Sequence, residues 1–352
     1  MVGPVSVAAT RIAYGATQLP RLAWYVGQGM IMRELARRQA PERARKPPPP
    51  AASSLGDRAL YANIARLLRQ DLANVEAGIY PLPADHDGSL RTLLVRSRLF
   101  FADLPVVNRR RERGSTREVA TQENAGKRPD YYLQNFHFQS GGWMTRDSAR
   151  RYDTQVEVLF RGTANAIRRQ ALPPLHEVLA GRDQRALRFL EVGCGTGRFL
   201  NFFKQSWPRL PALGIDMSQA YTEEAKHHLK DWGWLDLAVA KGEDMPVASE
   251  SQDAAASVFL FHELPPKVRR AVLAEFARVL KRGGRLVLVD SLQLGDEPGY
   301  DSALERFPHN FHEPYYNSYL KEDFAALAKA CGLVHIRDMN AFIAKVMVFD
   351  KV

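Results

Sequence analysis

A glycine-rich turn that follows a short apolar run is the feature that most constrains how this chain can fold. The run Phe189-Leu190-Glu191-Val192 predicts a strand, the run Gly193-Cys194-Gly195-Thr196-Gly197 predicts a turn, and residues 198–205 have the pattern of a helix. Glycines let the backbone bend sharply and approach a ligand closely, and a helix start presents free N–H groups. This order of elements therefore predicts a turn that binds a ligand.

The spacing of the glycines excludes two common nucleotide sites. The turn reads GxGxG, and Arg198 stands where the dinucleotide fingerprint GxGxxG needs its last glycine. The turn is also not a phosphate-binding P-loop, because it lacks the Gly-Lys-Ser/Thr that such a loop requires. The next apolar run, 212–215, ends in Asp216, which lies 19 positions after Gly197. The two oxygens of such a carboxylate can accept both hydroxyls of a ribose, as an acid does at this point of a doubly wound sheet.

Apolar runs that alternate with helix-length segments predict the overall fold. Five runs follow this pattern: 188–192, 211–215, 236–240, 255–261 and 285–290. The alternation is typical of a parallel sheet that is wrapped by helices on both faces. Two further runs, 334–337 and 341–348, lie too close together for a parallel crossover, which needs about a dozen residues. The sequence therefore predicts an α/β fold with a doubly wound, mostly parallel sheet and a C-terminal antiparallel hairpin.

Composition and charge exclude several other classes of protein. With 45% hydrophobic and 25% charged residues, the 352-residue chain is typical of a globular protein and not of a disordered or collagenous one. Its two cysteines, Cys194 and Cys331, cannot form a disulfide framework or a thiolate metal site, and they indicate a reducing compartment. Residues 1–130 carry +9 of the net charge of +10. The C-terminal part therefore has no strongly positive field, and a nucleic-acid substrate is not required.

Residues 1–46 form a basic segment with eight basic and two acidic side chains. At about 100° per residue, Trp24, Ile31 and Leu35 fall on one side. This pattern predicts a basic amphipathic helix that can lie in an anionic membrane interface. A helix docked on the body of the protein and an organellar transit peptide are the alternatives. The uncharged stretch 22–32 is too short to span a bilayer, and the segment does not match a cleaved secretory signal.

Residues 47–130 are predicted to hold a linker, helices and an exposed loop. Prolines at 47–50 begin a semi-extended linker, and apolar residues at helical spacing across 60–72 predict a helix. The polar stretch 108–130 predicts an exposed loop, and contact of its arginines with phosphates is the alternative.

Residues 131–180 are predicted to be largely helical. Aromatic residues are dense in 131–143, which is more typical of packing than of ligand contact. A cap at 147–148 predicts the start of a helix that ends at the prolines 173–174.

The motifs from residue 181 to the end resemble those of the class I S-adenosylmethionine-dependent methyltransferases, in the small-molecule group that includes quinone-pathway enzymes (methyltransferase type 11). They follow the order of the family: a first motif at 190–197, the ribose-binding Asp216, a third motif at 242–246, the fourth strand and its loop at 258–264, and a helix-to-strand turn at 280–287. The resemblance implies a Rossmann-like methyltransferase fold, with 181–352 as the domain that binds S-adenosylmethionine and 131–180 as a helical lid over it.

The resemblance also implies which residues hold S-adenosylmethionine. They lie at the ends of predicted strands: Glu191, Gly193, Gly195, Gly197, Asp216, Met217, Gly242, Glu243 and Phe259. Many relatives carry Asp or Asn just before the residue that matches Gly242, as the acceptor for the adenine amino group, and here that residue is Lys241. Either Glu243 replaces this acceptor or the amino group contacts water.

These motifs predict the cofactor and its binding residues, but they do not predict which molecule accepts the methyl group. The stretch 291–320 follows the fifth predicted strand and holds two histidines, an acid and several aromatics, which can shape a pocket for a flat or lipophilic acceptor. If a hydroxyl or an acidic carbon is methylated, a base must take its proton. The predicted catalytic residues are His262 first, then His312 with Glu313 as its orienting partner. A surface helix that packs its aromatics, with merely hydrogen-bonded histidines, is the alternative.

The sequence therefore predicts a cytoplasmic enzyme that methylates a small lipophilic or aromatic molecule, with peripheral membrane contact through residues 1–46 as an additional hypothesis. It predicts no bound metal and no nucleic-acid partner. A scaffold or sensor that binds S-adenosylmethionine and a protein or RNA partner is the main alternative. A protein or RNA methyltransferase is disfavoured, because the C-terminal region is nearly neutral and its fourth-strand loop lacks an Asn/Asp-Pro-Pro-Tyr/Phe motif.

Overall fold

The computed structural model of the chain describes residues 7–39, 56–85, 87–124 and 126–352. Within these residues, six α-helices precede the first strand: α1 (Val7–Gln39), α2 (Asp57–Glu76), α3 (Leu90–Arg113), α4 (Arg146–Leu159), α5 (Ala164–Arg169) and α6 (Leu172–Leu179). The linker predicted at 47–50 lies outside the described residues.

The C-terminal part alternates strands and helices around one sheet. Its elements are β1 (Phe189–Val192), α7 (Arg198–Ser206), β2 (Ala212–Asp216), α8 (Gln219–His228), β3 (Leu235–Val239), β4 (Gln252–Val258), α9 (Pro266–Val279), β5 (Leu280–Ser291), α10 (Asp301–Asn310), α11 (Tyr316–Tyr319), α12 (Phe324–Ala330), β6 (Leu333–Ala341) and β7 (Ala344–Lys351). The strand order is β3-β2-β1-β4-β5-β7-β6. Strands β1 to β5 pair in parallel, and β7 pairs antiparallel with both β5 and β6. The predicted parallel sheet with a C-terminal hairpin is confirmed.

Strands β1 and β4 lie at the centre of the sheet and are buried along their whole length. Because helices cover both faces, such strands need apolar residues at nearly every position. Phe189 of β1 stacks on Phe203 of α7, with ring centroids 3.8 Å apart. Glu191 is the charged exception in β1, and a buried carboxylate in a central strand indicates a role other than packing.

The strand order creates a crevice at one edge of the sheet. The chain passes from β1 to β2 on one side, and β4 then pairs with the other side of β1. Open α/β sheets bind ligands at such a switch point, outside the carboxyl ends of the strands. The residues that follow β1 and β4 therefore border the expected site.

Helix α1 packs on the body of the protein through buried polar contacts. Arg21 Nη2 lies 2.5 Å from Glu157 Oε1 of α4, and Arg21 Nε lies 2.7 Å from Asp87 Oδ2. The hydroxyl of Tyr14 donates to Asp71 Oδ2 of α2 at 2.5 Å. The docked helix, which was an alternative from sequence, is thus the observed arrangement of α1.

The opposite face of α1 is apolar and exposed. Ile12, Leu19 and Met30 are 73%, 63% and 59% exposed. The stripe predicted from sequence is divided, because Ile31 and Leu35 are exposed whereas Trp24 packs against the apolar side chains of α3 and α4. No helix in the described ranges has the length and apolar character needed to cross a membrane.

Two predictions about the helical region were wrong in detail. Helix α3 continues to Arg113, so the first residues of the predicted loop 108–130 are helical. The helix that was predicted to end at prolines 173–174 ends at Leu159, and both prolines lie in the first turn of α6. Proline is tolerated there because the first N–H groups of a helix have no intrahelical acceptor.

Replacing Arg21 by alanine is expected to lower the free energy of unfolding by about 3 kcal/mol, because it leaves the buried carboxylate of Glu157 without its closest cation. Chemical denaturation followed by circular dichroism measures this change. Arg11→Ala on the same helix is the control, since it removes an exposed pair with Glu76 and should cost about 1 kcal/mol or less. Equal losses in the two variants would show that Arg21 does not anchor α1.

Candidate active site

The glycine turn between β1 and α7 has a backbone that residues with side chains rarely adopt. Gly193, Gly195 and Gly197 have φ angles of +73°, +53° and +79°. A Cβ added at Gly197 would lie 2.5 Å from Leu229, whereas one at Gly195 would meet no protein atom within 4 Å. Gly195 therefore borders open space, as a residue that lets its backbone approach a ligand should.

The carboxylate of Asp216, at the end of β2, is held by two backbone groups. Gly195 N donates to Asp216 Oδ2 at 2.9 Å, and Ser218 N donates to Asp216 Oδ1 at 2.8 Å. Burial raises the pKa of Asp216, and these two N–H groups oppose the rise. Each carboxylate oxygen can accept a further hydrogen bond, so the group is placed to receive ribose hydroxyls.

Glu191 is buried inside β1, and its Oε2 has no hydrogen-bond partner among the described residues. Burial raises the pKa of Glu191 well above its usual range, whereas the guanidinium of Arg168 lowers it. Glu191 and Arg168 line one small pocket together with Gly193 and Gly195. An anion and a cation side by side fit the amino and carboxylate groups of an amino acid, such as the methionine part of S-adenosylmethionine.

A cleft runs along the carboxyl edge of β1, β2 and β4. Seven of the predicted cofactor residues line it: Gly193, Gly195, Asp216, Met217, Gly242, Glu243 and Phe259. Glu191 lines the adjoining small pocket. Gly197 lines neither space and instead packs its backbone against α8, so it shapes the turn. The residues present therefore fit S-adenosylmethionine.

Aromatic side chains from the segment before α4 form the other wall of the cleft. Tyr131, Tyr132, Phe136 and Trp143 all line it. The hydroxyl of Tyr131 donates to Glu243 Oε1 at 2.7 Å, so this aromatic block contacts the adenine side predicted from sequence. The interpretation of these aromatics as packing alone was therefore incomplete.

A second, apolar cavity of about 160 Å³ adjoins the cleft. Tyr152, Phe259 and Glu263 line both spaces. The remaining walls come mainly from α4, α10 and the segments beside them: Val156, Leu159, Phe160, Tyr300, Ala303, Leu304, Phe307, Tyr316 and Ile343. Its polar lining includes His137, His262, Glu263 and Ser291, and a mostly apolar lining with few polar groups suits an apolar ligand that carries a polar group.

His262 is the predicted catalytic residue that the structure brings to this cavity. Its Nδ1 lies 2.6 Å from Asp290 Oδ1, and Asp290 Oδ2 accepts the backbone N–H groups of Phe261 and His262. Burial lowers the pKa of His262, but the charge of Asp290, with those of Glu313 and Glu263, raises it to about 9. Asp290 fixes the ring, so Nε2 is the nitrogen left for a ligand.

His312 and Glu313 do not form the predicted pair. His312 Nε2 lies 2.7 Å from Gln134 Oε1, and its ring packs against Phe138 outside the apolar cavity. Glu313 is buried, and its Oε1 lies 2.9 Å from Nε2 of His137. Glu313 therefore lies beside His137, which lines the cavity, and not beside His312.

Comparison with known proteins agrees with this geometry. Residues 189–284 match the family described as a methyltransferase domain. The chain is 31% identical over 144 residues to the demethylmenaquinone methyltransferase of Thermotoga maritima, across 41% of this chain and 58% of that protein. Residues 189–284 therefore carry a methyltransferase domain.

Two further comparisons describe the range of similar proteins. The chain is 38% identical over 98 residues to the malonyl-[acyl-carrier protein] O-methyltransferase of Hahella chejuensis, across 28% of this chain and 34% of that protein. The geranyl diphosphate C-methyltransferase of Streptomyces coelicolor A3(2) matches 57% of this chain and 83% of its own, with 15% identity and a TM-score of 0.41. The chain thus spans little more than half of the first relative and about a third of the second.

Sequence reasoning missed two residues at or beside the apolar cavity, Asp290 and His137. Asp290 ends an apolar strand in the same way as Asp216, so the signal that marked Asp216 also marks Asp290. His137 lies in a short 3-10 turn, and no sequence pattern predicts that it meets Glu313, which is 176 positions away.

Asp216→Ala is expected to weaken binding of S-adenosylmethionine by at least about tenfold, because it removes two charge-assisted contacts worth about 1.5 to 3 kcal/mol each. Calorimetry measures the dissociation constant. Asp236→Ala, which removes an exposed carboxylate from the neighbouring β3, is the control and should bind like the parent. Unchanged affinity in Asp216→Ala, or tighter binding of NAD than of S-adenosylmethionine by the parent, would contradict the assignment.

Proposed function

We propose that this chain transfers the methyl group of S-adenosylmethionine to a small apolar or aromatic acceptor in the apolar cavity. The proposal rests on the wall that the two spaces share. Tyr152, Phe259 and Glu263 line both the cofactor cleft and the apolar cavity. A methyl donor in the cleft and an acceptor in the cavity would meet at this wall.

The size and lining of the cavity support an apolar acceptor group. A cavity of about 150 Å³ lined by apolar side chains stays dry and binds benzene in another protein, and this cavity measures about 160 Å³. It would therefore hold a single ring or a short branched chain, with the rest of the acceptor outside. The Thermotoga relative is named for demethylmenaquinone, a molecule of this general class.

The chemistry comes from the electrophilic methyl group that bound S-adenosylmethionine supplies. Transfer is an in-line displacement, so the chain's task is to hold donor and acceptor atoms about 3 to 3.5 Å apart. Glu191 and Arg168 would hold the amino-acid part and Asp216 the ribose. The aromatic wall would exclude water. Because the pKa of His262 is raised to about 9, its ring is protonated at neutral pH, and Nε2 would donate a hydrogen bond to a polar group of the acceptor. Above that pH the neutral ring would take the acceptor's proton.

A scaffold or sensor that only binds S-adenosylmethionine is less consistent with this site. Such a protein has no need for an apolar cavity beside the cofactor cleft, nor for a histidine fixed at its wall by Asp290. The acceptor cavity therefore favours catalysis.

A labelling experiment tests the proposed activity. The protein is incubated with methyl-labelled S-adenosylmethionine and with separate lipid, protein and RNA fractions of a cell extract. Label is expected in the lipid fraction, because the cavity accepts apolar groups. Label that enters only protein or RNA would contradict the proposed acceptor class, and no transfer to any fraction despite tight cofactor binding would favour the scaffold.

At a pH above about 9, where the ring of His262 is neutral, His262→Gln is expected to reduce single-turnover methyl transfer into the active lipid fraction by about 10² or more, the usual loss when a general base is removed. His312→Ala is the control, because its ring contacts Gln134 and Phe138 away from the cavity, and it should react at the parent rate. Melting temperatures of both variants separate a loss of turnover from a loss of folding. Parent-like transfer by His262→Gln would show that proximity alone carries the reaction.

The exposed face of α1 supports a peripheral membrane location for this activity. Between Arg11 and Arg33 the only charged residue is Arg21, and its side chain is 5% exposed. Ile12, Leu19 and Met30 fall on one side of the helix at 100° per residue, opposite the docked face. An apolar strip with arginines at both ends is suited to an anionic membrane interface, where a lipophilic acceptor would reside.

The double variant Ile12→Asp/Leu19→Asp should sediment less than the parent with vesicles of phosphatidylcholine and phosphatidylglycerol. The two aspartates oppose insertion of α1 into the apolar part of the membrane interface, and their negative charge is repelled by the anionic phosphatidylglycerol. Val334→Asp/Ile336→Asp is the matched control, since it places two acids at exposed positions on β6. Added salt should weaken the attraction of the parent. Equal sedimentation of the three proteins would exclude α1 as the membrane-binding surface.

A further inference from the structure

Three ionisable side chains from distant parts of the chain meet beside the apolar cavity. One ring nitrogen of His137 and one oxygen each of Glu263 and Glu313 all lie within 4.8 Å of one another. The closest pair, His137 Nε2 and Glu313 Oε1, is 2.9 Å apart. Two ligand atoms of a tetrahedral ion are about 3.4 Å apart when each bond is about 2.1 Å. Side-chain movements of about 1 Å would therefore bring this cluster to metal-binding distances.

The cluster is buried, and several of its polar atoms lack partners. The side chains of His137 and Glu313 are 8% and 0% exposed. His137 Nδ1 and both carboxylate oxygens of Glu313 have no hydrogen-bond partner among the described residues, since the 2.9 Å contact does not have hydrogen-bond geometry. Buried polar atoms are nearly always satisfied, so these orphaned oxygens point to a cationic ligand.

The surrounding charges do not neutralise the two glutamates. Glu263 accepts a hydrogen bond from Trp143 Nε1 at 3.0 Å, and no lysine or arginine in the described ranges forms an ion pair with either Glu263 or Glu313. His262, which lies near both, is already paired with Asp290.

The backbone around His137 is held in an unusual conformation. His137 and Phe138 have φ angles of +54° and +55°, in the left-handed region that residues with side chains rarely occupy. The N–H group of His137 donates to the carbonyl of His312 at 3.3 Å, which ties this turn to the segment that carries Glu313. Strain of this kind is usually found where a side chain must be held for function.

We propose that His137, Glu263 and Glu313 bind one divalent transition-metal ion at the wall of the apolar cavity. An imidazole with two carboxylates is a ligand set that Zn²⁺ and Mn²⁺ accept, whereas Mg²⁺ prefers oxygen ligands alone. Three protein ligands leave a coordination position open, and His137 and Glu263 both line the cavity.

A metal at this site would bind a polar atom of the acceptor and fix it against the wall shared with the cofactor cleft. Only this consequence rests on the proposed methyl transfer, since binding of the ion itself depends on the three side chains alone. The site would give the apolar cavity a polar anchor in addition to His262.

Metal titration of the full-length protein tests the proposal. After chelator treatment and dialysis, the parent should bind one equivalent of Zn²⁺ by calorimetry and one Mn²⁺ by electron paramagnetic resonance, with Zn²⁺ bound more tightly. Excess Mg²⁺ should not displace either ion. His137→Ala and the near-isosteric Glu313→Gln should each weaken Zn²⁺ binding by about tenfold or more.

The control is His335→Ala, which removes an exposed histidine paired with Asp338 Oδ1 at 2.7 Å and should leave the Zn²⁺ affinity unchanged. Zn²⁺ should also raise the melting temperature of the parent but not of Glu313→Gln. A parent that binds S-adenosylmethionine but no stoichiometric Zn²⁺ or Mn²⁺ would overturn the metal site and leave the proposed methyl transfer standing. Equal Zn²⁺ affinity in the parent, His137→Ala and Glu313→Gln would overturn it as well.

Discussion

The carboxylate of Asp216 accepts backbone N–H groups from Gly195 and Ser218, and the cofactor cleft depends on this contact. A glycine turn has few side chains of its own to fix its shape, so hydrogen bonds and packing must do so. Asp216 supplies the hydrogen bonds, and the contact of Gly197 with Leu229 supplies the packing. The turn is thereby preorganised at the switch point of the sheet before a ligand binds.

Asp290 has a similar position beside the apolar cavity. It is the penultimate residue of β5, accepts two N–H groups from the loop after β4, and binds Nδ1 of His262. Asp216 therefore stabilises the loop after β1, and Asp290 stabilises the loop after β4. In each case the stabilised loop follows the strand next to the one that carries the acid. Because β1 and β4 are adjacent in the sheet, the loops that follow them line the same cleft, through Gly193 and Gly195 on one side and Phe259 and Leu260 on the other.

The N-terminal region completes both spaces and is fastened to the domain by buried polar contacts. Asp153 of α4 accepts a hydrogen bond from Thr196 Oγ1 at 2.7 Å and pairs with Arg198 at the start of α7. Burial raises the pKa of Asp153, but the charge of Arg198 lowers it below its usual range. Helix α4 thus binds directly to the glycine turn, while Trp143 donates to Glu263 at the shared wall. Residues 131–180 and the sheet therefore both contribute side chains to the site.

The sequence by itself determined the parallel sheet, its terminal hairpin, the glycine turn and Asp216, because these follow from local hydropathy and from backbone limits on non-glycine residues. Only the tertiary structure decided which face of α1 packs on the body of the protein. That face is held by buried polar side chains such as Arg21, and polar side chains leave no apolar stripe in the sequence that would predict it. The tertiary structure also decided that His262, and not His312, lines the apolar cavity, and that Glu313 meets His137. Those contacts join segments far apart in the chain, and their distances are set by how the loops pack and not by any local pattern of residues.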